Sequence, residues 1–84
     1  MRHADAAALD RLEAMLTQLR SMPELKEVRR GVFYRRSKAF IHFHDDPAGL
    51  YADVRLGPDF ERHRVETDGE RRRVIGEIRR ALSR

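Results

Sequence analysis

The stretch Lys38–Gly57, KAFIHFHDDPAGLYADVRLG, decides the fold. Ala39, Ile41 and Phe43 alternate with Phe40, His42 and His44, and then Leu50, Ala52, Val54 and Leu56 alternate with Tyr51, Asp53 and Arg55. Period-two runs of this length read as half-buried strands. Between them, Asp45-Asp46-Pro47-Ala48-Gly49 is dense in turn formers: Pro presets φ, Asp bonds its own backbone two residues on, and Gly tolerates positive φ. Apolar parity predicts a hairpin in which Phe43 faces Leu50, Ile41 faces Ala52 and Ala39 faces Val54. Directly paired residues share a face. The opposite, polar face then carries His42 across from Tyr51 and Phe40 across from Asp53, with His44 at the turn. Phe40 is the one large apolar residue on that face.

Working outward, Asp5 to about Met22 reads as a helix. Leu9, Leu12, Leu16 and Leu19 recur at three- and four-residue spacing, Met15 widens the stripe, and Asp5 supplies a cap. Pro23 stops it, since a residue before proline avoids the helical region. Glu27–Arg36 reads as one strand with a bulge at Gly31 that lets Val28 and Phe33 share a face. Arg36-Ser37-Lys38 turns into the hairpin. Phe60–Val65, FERHRV, reads as a short charged edge strand. Thr67 with Glu70 matches a capping box, opening a helix to about Leu82 with Val74, Ile75, Ile78, Ala81 and Leu82 on its apolar stripe. The expected fold is a single α+β domain over 1–84. Its antiparallel sheet has three or four strands in the order α-β-β-β-(β)-α, and two helices cover one sheet face.

Composition narrows the rest. The chain has 84 residues, 18 basic and 14 acidic, for a formal net charge of +4. All its positive side chains are arginine except Lys26 and Lys38. That net charge is an ordinary one and a weak pointer to nucleic acid. There is no cysteine, hence no disulfide frame and no thiolate chemistry, which is compatible with the cytoplasmic location we expect. No apolar run reads as a signal peptide or membrane span, so no membrane partner is expected.

The string Ala39-Phe40-Ile41-His42-Phe43-His44, followed by Gly49-Leu50-Tyr51-Ala52-Asp53, resembles a family of small uncharacterised bacterial proteins labelled luciferase-type domains. In that family a His-x-His strand turns through glycine into a strand bearing Leu-Ala-Asp. Glu61-Arg62-His63-Arg64-Val65 is similar to its His-containing segment. The chain departs from the pattern in its longer turn through Pro47 and Ala48, and in passing directly from His63 to the last helix. The resemblance implies no substrate. The helix-sheet-helix order is also similar to the frataxin-type architecture, an analogy of fold alone.

Four uses compete for the polar face. His42 and His44 with Asp53, approached by Asp45, Asp46 or His63, suit zinc or another divalent metal. Alternatively, His42 simply stacks on Tyr51 on a solvated sheet. A His oriented by Asp53 could act as a base, but no nucleophile, phosphate loop or serine elbow accompanies it, which argues against an enzyme. Arg29, Arg30, Arg35, Arg36, Arg55, Arg62 and Arg64, with Phe40 and Tyr51 as stacking surfaces, would suit nucleic acid. Interspersed carboxylates favour a mixed-charge surface instead. Finally, the face could pair two copies as a homodimer. The reading adopted is a small binding or interaction domain, with metal ligands His42, His44 and Asp53 and a binding face of Tyr51, Arg55 and Phe40. An arginine-dependent nucleic-acid module is the alternative.

Overall fold

A computed structural model describes all 84 residues, Met1–Arg84. The architecture is α+β. The elements are β1 (Arg2–His3), α1 (Ala6–Arg11), α2 (Glu13–Arg20), β2 (Lys26–Arg29), β3 (Val32–Arg35), β4 (Lys38–Asp46), β5 (Gly49–Val54), β6 (Glu61–Arg64) and α3 (Asp68–Leu82). Every strand pairing is antiparallel, in the order β2-β3-β4-β5-β6, with β1 beside the far end of β4. The sheet therefore has six strands, not three or four. No helix is long and apolar enough to cross a membrane.

One of the added strands comes from the splitting of a segment expected as a single strand. Glu27–Arg36 folds back on itself at Arg30-Gly31, and Gly31 sits at φ +80. Gly31 is thus a turn residue rather than a bulge, and a Cβ there would lie 2.7 Å from Leu9 Cδ2. The register slip falls at Val28, which points outward at 47 % exposure and does not share the core with Phe33. The remaining strand, β1, is two residues long and was not foreseen.

The central hairpin keeps its predicted parity and changes its register by two residues. Ile41 pairs with Val54, His42 with Asp53, Phe43 with Ala52 and His44 with Tyr51. Strand geometry continues through Asp45 and Asp46, leaving a two-residue loop of Pro47-Ala48 in which Asp46 Oδ2 accepts the Ala48 N–H at 3.0 Å. Because the side-chain period is two, a shift of two changes the partners and preserves the faces. Phe40 is the exception. Phe33 pairs with Ile41 while Tyr34 pairs with Ala39, so Phe40 is the extra residue of a β-bulge. The bulge turns it into the core at 2 % exposure and removes it from the polar face.

The core lies between the sheet and the helices. Phe33, Ile41, Phe43, Leu50, Ala52 and Val54 meet the leucines of α1 and α2 and Val74, Ile75 and Ile78 of α3 in one cluster. The first helix is capped by Asp5, whose Oδ1 accepts the Ala8 N–H at 2.9 Å. It is interrupted at Leu12, where the N–H bonds back three residues to Leu9, so one expected helix becomes two. Thr67 and Glu70 make both bonds of the capping box that opens α3.

The hairpin joining β3 to β4 turns on Arg36 and Ser37, both at positive φ (52° and 68°). Two-residue turns of this kind favour Asn-Gly, because left-handed backbone costs other residues roughly 1 kcal/mol or more each.

Candidate functional site

The face of the sheet away from the helices gathers His42, His44, Tyr51 and Asp53 from the two central strands. Strand β1 adds His3. Its backbone pairs with β4 so that His3 lies directly across from His44, and Ala4 N–H bonds Phe43 O at 3.1 Å. Arg2 reaches Asp45 at 3.6 Å across the same pairing. Three imidazoles thus meet. His3 stacks on His44 with ring centroids 4.9 Å apart, His42 meets His44 edge-on at 5.0 Å, and His3 and His42 are 6.1 Å apart. One nitrogen from each ring lies within 4.8 Å of the other two.

Hydrogen bonding at these rings is incomplete. His44 retains only 9 % exposure, and neither of its nitrogens has a hydrogen-bond partner. Its Nε2 lies 3.0 Å from Asp53 Oδ2, close enough to interact electrostatically but not aligned for a hydrogen bond. His42 Nδ1 is also buried and unpartnered. Buried polar atoms normally find partners, and each exception calls for a physical reason. Burial pushes the His42 imidazole below its ordinary pKa. Asp53 opposes that shift, and the nearby His44, His3 and Arg62 reinforce it. Its ring is therefore biased toward the neutral form that can donate a lone pair.

Asp53 is committed elsewhere. Arg62 on β6 grips it with two parallel bonds of 2.7 Å, Nε to Oδ1 and Nη2 to Oδ2. Those bonds hold its carboxyl below the usual carboxylate range against the opposing effect of burial. The imidazole group is accordingly His3, His42 and His44, with Asp53 behind His44 and locked by Arg62. On the other flank, Phe60 packs edge-on against His42 at 5.0 Å and lies beneath the Arg55 guanidinium at 4.4 Å. Arg55 is also tied to Ala39 O at 3.0 Å.

Several residues expected near the site lie away from it. His63 pairs with Ala52 and so faces the helix side, 3.9 Å from Glu77 of α3. Asp46 is spent in its turn, and Asp45 lies on the other parity, beside Arg2. Tyr51 stands between His44 and Arg64 on the open face. The arginines proposed for nucleic acid are dispersed. Arg30 pairs with Asp10 and Glu13, Arg62 with Asp53, and Arg64 with Glu70.

His3 and Phe60 were missed, and Arg62, named among the arginines of the open face, was not expected to pair with Asp53. A two-residue strand has no periodicity to detect, so His3 gave no signal. Arg62 was legible in principle, since parity across β5 and β6 sets it opposite Asp53. No protein-family model matches the chain, and neither a curated protein nor a solved structure matches it.

Proposed function

We propose that the open sheet face is a binding site for a first-row divalent metal, zinc foremost, with His3, His42 and His44 as ligands. The observation that carries this reading is the convergence of three imidazoles, two of them with buried nitrogens that bond to nothing. Zinc bonds to histidine at about 2.0–2.1 Å, which sets ligand nitrogens roughly 3.3 Å apart in a tetrahedron. The nitrogens here span up to 4.8 Å, so modest ring rotations would draw them inward. Imidazole-only ligation leaves a fourth position for water or a ligand. Asp53 and Arg62 would form the outer layer that orients His44, the usual accompaniment of a metal-bound histidine.

This reading narrows the broader one of a small binding domain and keeps its residues His42 and His44. Asp53 becomes a positioning group rather than a ligand. The luciferase-type resemblance passes through the same histidines and brings no substrate. A cysteine-free imidazole site also suits the reducing cytoplasm in which we place the chain.

The test is a zinc titration at pH 7.5 followed by histidine ring NMR. Saturable 1:1 shifts at His3, His42 and His44, with His63 unmoved on the opposite face, are expected. Equal, unsaturable shifts at all four histidines would refute the site. His42→Ala should lower affinity by more than the roughly 10–100-fold that losing an outer-layer partner costs.

A further inference from the structure

Toward the opposite end of β4 from His44, the β3–β4 turn and the chain leaving β5 border an open cavity of about 270 Å³. Arg35, Arg36, Lys38 and Arg55 line it, Phe40 and Leu56 give it an apolar side, and no carboxylate reaches it. Arg35, Arg36 and Lys38 take part in none of the chain's ion pairs, whereas Arg62 and Arg64 on the β6 edge are each held by an acid. Like charges gathered in one recess repel, and an anion between them would reverse the sign of that interaction. Guanidinium forks match phosphate oxygens in geometry as well as charge.

The backbone supplies a second observation. Arg36 and Ser37 are both held at positive φ, where Asn-Gly would sit without strain. Strain retained at Arg36, a turn residue that lines the cavity, is a pointer to function.

We propose that this cavity binds a diphosphate group, free or carried on an organic ester, between Arg35, Arg36, Lys38 and Arg55. A diphosphate suits four cations in a recess of this size better than a nucleic-acid strand does. A strand needs a continuous basic track, and the neighbouring arginines on the open face are already neutralised by Asp53 and Glu70. The site is independent of the histidine centre, although Arg55 touches both through Phe60.

The experiment is an amide NMR titration of the metal-free chain with inorganic pyrophosphate, then with ADP. Saturable shifts centred on residues 35–38 and 55–57 are expected. ADP binding more tightly assigns an ester, and equal affinity assigns the free anion. The double variant R36N/S37G removes one cation and gives the turn its preferred residues. It should weaken pyrophosphate by about tenfold, as loss of one charge-assisted contact implies, while raising the Tm. Lys38→Ala should weaken binding similarly. Absence of saturable binding overturns the proposal. So does affinity indifferent to both variants. A single-stranded oligonucleotide that binds where pyrophosphate does not, with a salt slope of several phosphates, overturns it in favour of a strand.

Discussion

The two faces of this sheet obey different rules. On the helix side, Phe33, Ile41, Leu50, Ala52 and Val54 are fully buried in a single apolar cluster. On the other side no helix packs, yet His44 and Asp53 are nearly as buried, covered by one another, by β1 and by the long side chains around them. Apolar burial needs no particular partner and is roughly proportional to area. Burial of imidazole and carboxylate is costly unless each polar atom is paired. Asp53 meets that condition through Arg62, and the histidines do not. The difference locates stability on one face and a reason for function on the other.

The sharpest way to break this contrast is to damage each face in turn. Ile41→Ala opens a cavity beneath the helices and should cost about 2–5 kcal/mol, enough to unfold much of a domain this small. Thermal and urea unfolding would measure it. A loss under 1 kcal/mol would mean that the helices are not seated on the sheet as described. Asp53→Asn should cost less, about 1–2 kcal/mol, by removing the charge and one acceptor from the paired bonds of Arg62, whose half-exposed guanidinium can turn to water. The same change should lower zinc affinity about 10–100-fold if Asp53 orients His44. Stability lost with zinc affinity intact would confine Asp53 to a structural role.

How far the sequence disclosed these faces follows from what each depends on. Parity alone assigned Ile41, Phe43, Leu50, Ala52 and Val54 to one side and His42, His44, Tyr51 and Asp53 to the other. Parity survives a two-residue shift, which is why the faces were legible while the pairings were not. The hairpin loop was misjudged because Asp45-Asp46 has turn chemistry but remains in strand, its turn reduced to Pro47-Ala48. Phe40 could not be placed without the bulge opposite Phe33 and Tyr34. The helix caps at Asp5 and Thr67 were legible because each is a local bond between residues three apart. The third imidazole was not, because His3 joins the site only through a long-range pairing of two residues.

His3→Ala sharpens the contrast further. His3 is exposed and its ring merely stacks, so stability should change by no more than about 0.5 kcal/mol. Zinc affinity should nevertheless collapse toward that of a two-histidine site. A large loss of stability with unaltered zinc binding would make β1 a structural strap.

The smallest expected effect is the acid response of the metal-free chain. His42 has its folded pKa below the unfolded value near 6.5, because burial disfavours its charged form. The unfolded chain therefore takes up a proton at His42 before the folded one does, and stability falls as pH drops through about 6.5 until the folded-state pKa has been passed. Asp53 acts lower. Its folded pKa is depressed by Arg62, so the stability it contributes is present above about 3.9 and is lost as pH falls through its folded value. Urea midpoints between pH 8 and 2 should thus show a shallow first decline below about pH 6.5 that His42→Ala removes, and a second below about pH 3.9 that Asp53→Asn removes. If His42→Ala leaves the first decline intact, the unpartnered histidine is not what makes the open face sensitive to protons. The contrast between the faces would then rest on Asp53 and Arg62 alone.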